Sequence, residues 1–92
     1  MNSLSDDGFP HDLTLTAVYD DPDRARTIER GLAQEVDEID DDRSRAALDR
    51  DGIRLTITVD AADPVALRAA GNTWMSLLSV AETAATIGEH IG

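Results

Sequence analysis

The sequence predicts a single α+β domain in the order β-α-β-β-α: a three-stranded antiparallel sheet, strand order 1-3-2, with two helices on one face. Three observations carry this. Leu13 to Tyr19 alternates apolar and polar residues with period two, and Ile53 to Val59 does the same behind an Asp51-Gly52 dipeptide. Two further stretches each open on Asp-Pro and carry apolar residues at spacings of three and four, as amphipathic helices do. Ninety-two residues suffice for one modest core and leave no room for a deep cleft, which fits a binding module better than an enzyme.

Residues 1–11, polar and holding Gly8 and Pro10, read as a flexible arm ahead of the domain at 12–92. The first strand stops at Asp20-Asp21-Pro22, where an aspartate before proline starts a helix. Ala25, Ile28, Leu32, Val36 and Ile39 then form one apolar stripe, predicting one helix over about 22–39 with an uncharged flank of Thr27, Gly31 and Gln34. Asp40-Asp41-Asp42 breaks it, and Arg43 to Arg50 makes a weak second strand. With Asp51-Gly52 as a two-residue hairpin loop, Leu48 faces Leu55 and Ala46 faces Ile57. A right-handed crossover makes the first two strands parallel, and the third fits between them, antiparallel to both. Thr14, Thr16, Thr56, Thr58, Arg45 and Arg54 then line a second sheet face that no helix covers, and this open face with its free edges predicts self-association.

The last helix is capped by Asp63, has Pro64 at its first position, and runs to about Ile87, a length of roughly 36 Å. Leu67, Ala70, Trp74, Leu77, Leu78, Ala81 and Ala85 share its core stripe. The opposite side should be charged, yet it holds Val65, Ala69, Thr73, Ser76, Val80, Thr83 and Ile87, and Ala69 to Ala81 carries no charge at all. Gly71 sits mid-helix at a cost of about 1 kcal/mol relative to alanine, which points to something approaching the backbone closely. So short a chain has too few elements to enclose this helix, so the second face is kept for another chain. The candidate partner-binding residues are Arg68, Asn72, Thr73, Ser76, Ser79, Val80 and Thr83 here, with Thr27 and Gly31 on the first helix.

Nineteen acids face eight arginines and no lysine, a formal charge of -11. Molar salt shortens the Debye length to about 3 Å and screens such self-repulsion, so the composition suits a salt-rich interior. An acidic face meeting a basic partner is the alternative, but the acids are spread along the chain apart from Asp37 to Asp42. Without cysteine there is no disulfide, thiolate nucleophile or sulfur-based zinc site. No segment has the roughly 18 apolar residues of a membrane span, and the first residues lack the pattern of a secretory signal, so a cytoplasmic protein with no membrane partner is expected. His11 and His90 lack a third ligand nearby, and Asp49-Arg50-Asp51-Gly52 places its glycine too early for a calcium loop. No catalytic residue, metal or cofactor is expected. Arg43, Arg45, Arg50 and Arg54 could touch phosphates, yet there is neither a Gly-x-x-Gly loop nor a strand aromatic for base stacking.

The segment Leu67-Arg68-Ala69-Ala70-Gly71-Asn72-Thr73-Trp74-Met75-Ser76-Leu77-Leu78, following Val59-Asp60-Ala61-Ala62-Asp63, resembles the small dimerisation subunit of the archaeal and eukaryotic KEOPS complex. The family's long helix opens with an Arg, three residues and an Asn and nears its end at Glu-Thr, here Arg68, Asn72 and Glu82-Thr83; the likeness extends over about Leu13 to Glu89. The resemblance implies a non-catalytic homodimeric scaffold that holds the threonylcarbamoyl-transferase subunit, so that the complex makes threonylcarbamoyladenosine next to the anticodon of tRNAs. It implies contact with tRNA only indirectly or within the complex. A free-standing RNA-binding or regulatory domain of KH-like size is the alternative.

Overall fold

The computed structural model describes residues 8–91, in which β1 (His11–Val18), α1 (Pro22–Ala33), α2 (Val36–Ile39), β2 (Ser44–Asp51), β3 (Arg54–Ala61) and α3 (Pro64–Ile91) follow one another. The sheet order is β1-β3-β2, with β3 antiparallel to both neighbours. The expected architecture therefore stands. Of the expected N-terminal arm, residues 1–7 lie outside the described residues, and His11 already pairs with Ala61 in the sheet.

Inward residues of the strands alternate with outward ones along all three. Leu55, Ile57 and Val59 of β3 are fully buried beside Ile28 and Leu32 of α1 and Trp74 of α3, because the central strand is the one both helices cover. Leu13 and Leu15, Ala46 and Leu48 pack around them from the edge strands.

Each long helix begins as its sequence dictates. Asp21, in extended backbone, accepts a hydrogen bond from Arg24 N–H at 2.8 Å and Pro22 occupies the first turn of α1. Asp63 accepts from Ala66 N–H at 2.8 Å at the head of α3, and its second oxygen pairs with Arg43 at the start of β2. Gly71 is buried, and a Cβ there would stand 3.0 Å from Leu13 Cδ2, so the close approach its position announced comes from β1.

Two expectations are corrected. The helix predicted over 22–39 is two helices: Glu35 N–H bonds Leu32 O at 2.9 Å in a tightened last turn, and the chain bends before α2. Val36 and Ile39 pack against the core where α2 meets β2. The hairpin loop is Gly52-Ile53 rather than Asp51-Gly52, so Leu48 faces Ile57 and Ala46 faces Val59. Gly52 has φ +66, and no non-glycine residue described has positive φ. A loop with positive φ at its first residue alone needs one glycine and spares Asp51 a left-handed conformation. The slip is two residues, so every side chain keeps its predicted face.

The Asp40–Asp42 segment is a structural corner. Asp41 Oδ1 accepts from the N–H groups of Arg43 and Ser44 at 2.7 and 3.0 Å, and Asp40 Oδ1 accepts from Ala46 N–H at 2.9 Å. These bonds lead the chain from α2 into β2.

Candidate partner-binding surface

α3 is 28 residues long, about 42 Å, and divides along its length. Its inner stripe is the predicted one: Ala70, Trp74 and Ala85 are buried, and Leu67, Leu77, Leu78 and Ala81 pack against the core. Trp74 is 1% exposed, which makes it a core residue rather than a stacking platform. On the outer side Val65, Val80, Met75 and Ile87 are exposed by 72, 65, 55 and 52%, values ordinary for lysine or glutamate on a solvated helix.

Between Pro64 and Gly88 the charged residues are Arg68 and Glu82, and Glu82 is engaged from inside: Tyr19 donates its hydroxyl proton to Glu82 Oε2 at 2.7 Å. That leaves Arg68 as the single charge of the outer face over this span. Two of the outer hydroxyls are satisfied on their own helices. Thr73 Oγ1 donates to Ala69 O and Thr27 Oγ1 to Asp23 O, each at 3.0 Å, so both residues satisfy their polar atom on their own helix.

A groove of about 670 Å³ runs between α1 and α3. Gly31, Ala81, Ala84, Ala85 and Gly88 line it with small side chains, while Asp21, Asp23, Arg24 and Thr27 form its polar end. A Cβ added at Gly31 would meet Ala81 Cβ at 4.0 Å, so α1 and α3 come close at that point. At the polar end the two helices are tied: Arg24 donates to Thr86 Oγ1 at 3.0 Å and to Glu82 O at 3.5 Å, with its guanidinium 6.0 Å from the Tyr19 ring. Burial, and then the hydrogen bond and negative charge of Glu82, hold the Tyr19 phenol above its ordinary value, with Arg24 opposing.

The nine residues expected to bind a partner are all exposed, but they form a broad band rather than one spot. Thr27 and Gly31 line the groove. Ser79, Val80 and Thr83 share a shallow apolar hollow with Ala84 and Ile87. Thr73 belongs to a second hollow at the other end, beside Ile39, Val65 and Ala69. Ser76 lies between the two, and Arg68 and Asn72 lie farther round the helix, roughly 80–140° from Thr73 and Val80. Ala84, Gly88, Met75 and Arg24 complete the surface without having been singled out. The spacing of Ala81, Ala84, Ala85 and Gly88, small residues at three and four, is the signal that marks the groove.

Among the described residues no three histidine, aspartate or glutamate side chains gather as metal ligands. His11 is the first residue of β1, and the side chain of His90 lies outside the described residues. No helix is long and apolar enough to cross a membrane among the described residues.

Residues 12–85 match the model of one protein family, described as transcription factor Pcc1; the match runs from the second residue of β1 to Ala85, the last residue of α3 found buried among the described residues. No curated protein matches the chain.

Proposed function

The chain belongs to the Pcc1 family, and from that premise we propose that it is a non-catalytic scaffold subunit of the KEOPS complex, the assembly that makes threonylcarbamoyladenosine in tRNA. In this reading the outer face of α3 and the adjoining strip of α1 dock the threonylcarbamoyl-transferase subunit, and a second copy of the chain supplies a homodimer. The observation that carries it is the near-chargeless outer half of α3 in a molecule of formal charge -11. Exposed valine, methionine and isoleucine beside a floor of alanine and glycine suit a partner helix packing at short range.

The family's description is a transcriptional one, but a net charge of -11 opposes any direct hold on phosphates, so tRNA is contacted within the complex rather than by this chain alone. The 19 acids and absent lysines further support a salt-rich, archaeal cytoplasm as the setting.

The test is Ser76→Arg, at an exposed position in the middle of the band. A guanidinium there lacks room and a counter-charge at a packed interface, so affinity for purified transferase subunit, measured by calorimetry in molar salt, drops tenfold or more. Circular dichroism and melting stay near wild type. Full-strength binding by a folded variant places docking elsewhere, and unfolding makes that face part of the core.

A further inference from the structure

The two walls of the groove between α1 and α3 meet at two points of different chemistry. At Gly31 the helices approach through small groups, since a Cβ there would stand 4.0 Å from Ala81 Cβ. About two turns nearer the start of α1, on the groove side, one long side chain joins them by hydrogen bonds. Arg24 lines the groove and donates to Thr86 Oγ1 at 3.0 Å and to Glu82 O at 3.5 Å. Thr86 Oγ1 in turn donates to Glu82 O at 3.1 Å, so Arg24 meets two linked acceptors on one turn of α3.

A third element holds that turn from behind. Tyr19 donates its hydroxyl proton to Glu82 Oε2 at 2.7 Å, a short bond to a carboxylate, and its backbone N–H bonds Ile53 O at 3.0 Å in the hairpin loop. The Arg24 guanidinium stands 6.0 Å from the Tyr19 ring. The link thus runs from the hairpin through Tyr19 to Glu82 and Thr86 of α3 and on to Arg24 of α1. Tyr19 does not line the groove, so its hydroxyl acts on whatever is seated there only through Glu82 and Arg24.

We propose that Tyr19 and Thr86 are positioning residues for partner docking, which through Glu82 and Arg24 hold α1 and α3 at the separation the transferase subunit recognises. This rests on the docking proposed above and adds to it the residues behind the surface that set its shape. A helix packing into the groove needs both walls at one spacing. With the tie released, the Arg24 end samples other spacings, and a groove found at the binding separation one-fifth of the time binds about fivefold more weakly.

Calorimetry of the full chain against purified transferase subunit in molar salt tests it. The control is Ile57→Val, at a fully buried position on β3, which lowers stability by removing a methylene and leaves the tie intact. That variant keeps wild-type affinity. Tyr19→Phe, which retains the ring and loses the hydroxyl, weakens binding at least fivefold with unchanged circular dichroism, and so does Thr86→Val. Both release one tie, so the double variant weakens binding by less than the product of the two effects. Folded Tyr19→Phe and Thr86→Val chains that bind as wild type does overturn the positioning role while docking stands. An Ile57→Val chain weakened as much as they are, or a double variant equal to the full product, overturns it likewise. A wild type without affinity for the subunit overturns the docking itself, and this role with it.

Discussion

The two exposed surfaces of this domain are made differently. The outer side of α3 keeps one charge, Arg68, over 25 residues and shows valine, methionine and isoleucine to solvent; the open sheet face holds Asp12, Asp49, Asp51, Asp60, Arg45 and Arg54 around a patch of threonines. The helix face has no pattern that specifies a copy of itself, only apolar area and small residues that let another helix approach. The sheet face has little apolar area and carries charges of both signs around its threonines. An apolar strip takes its specificity from the shape of whatever packs on it, whereas a charge pattern can reject the wrong orientation before contact.

The largest expected effect erases the contrast altogether. Trp74 holds the inner side of α3 against β3, and Trp74→Ala leaves a cavity costing about 3–5 kcal/mol, much of the stability of a domain this size. Both surfaces are then lost together, and urea titration followed by far-ultraviolet circular dichroism reads the loss. A folded variant that had lost one surface and kept the other would break this account.

Next come the crossed controls. Ser76→Arg leaves the sedimentation of the homodimer unchanged, and Arg54→Asp leaves calorimetric affinity for the transferase subunit within about twofold, since no residue is shared between the faces. A variant that damages both functions merges the two surfaces into one.

Salt separates them more gently. Lowering the concentration from about 1 M to 0.1 M lengthens the Debye length from about 3 to about 10 Å and exposes the acidic surface to its own repulsion. The melting temperature falls steadily across that range. A constant melting temperature rejects the salt-adapted reading of the composition.

The smallest effect concerns the tie behind the groove. Folding raises the Tyr19 pKa above its ordinary value of about 10, so the folded state holds the phenolic proton more tightly than the unfolded chain does. The stability this contributes is complete below about pH 10 and is lost as the pH rises beyond it. Tyr19→Phe removes the bond to Glu82, costs on the order of 1 kcal/mol near neutrality, and abolishes that part of the alkaline loss. Tyr19 is the one tyrosine, so its absorbance titration reports the shift directly, and an ordinary titration midpoint contradicts it.

How much of this was legible in the sequence depended on how local the cause was. The alternation from Leu13 and the two Asp-Pro starts are written within a few residues, and they fixed the element order and the inner and outer stripes of α3. The hairpin register was missed by two because an Asp-Gly pair and a glycine-first loop satisfy the same local pattern; period-two alternation kept the faces right regardless. The break after Ala33 was not legible, since Gln34 and Glu35 are good helix formers and Val36 and Ile39 continue the stripe. The tertiary packing of Val36 and Ile39 beside β2 is not visible in that local pattern. The outer band of α3 could be seen on a helical wheel, but the meeting of Tyr19, Arg24, Glu82 and Thr86 could not, because it joins residues about 60 positions apart.

The strand order also sets a sequence of events during synthesis. β1 leaves the ribosome before β2 and β3, yet its partner among the described residues is β3, and Val18 pairs with Arg54, about 36 residues later in the chain. At roughly 5–20 residues per second, β1 waits on the order of 2–7 s for a partner, while β2 meets β3 across a two-residue turn almost at once. The strand that waits alternates Leu13, Leu15 and Ala17 with Asp12, Thr14 and Thr16, so it has no run of apolar residues to offer another nascent chain. The polar side that later forms a third of the open face thus protects the edge of an unfinished sheet.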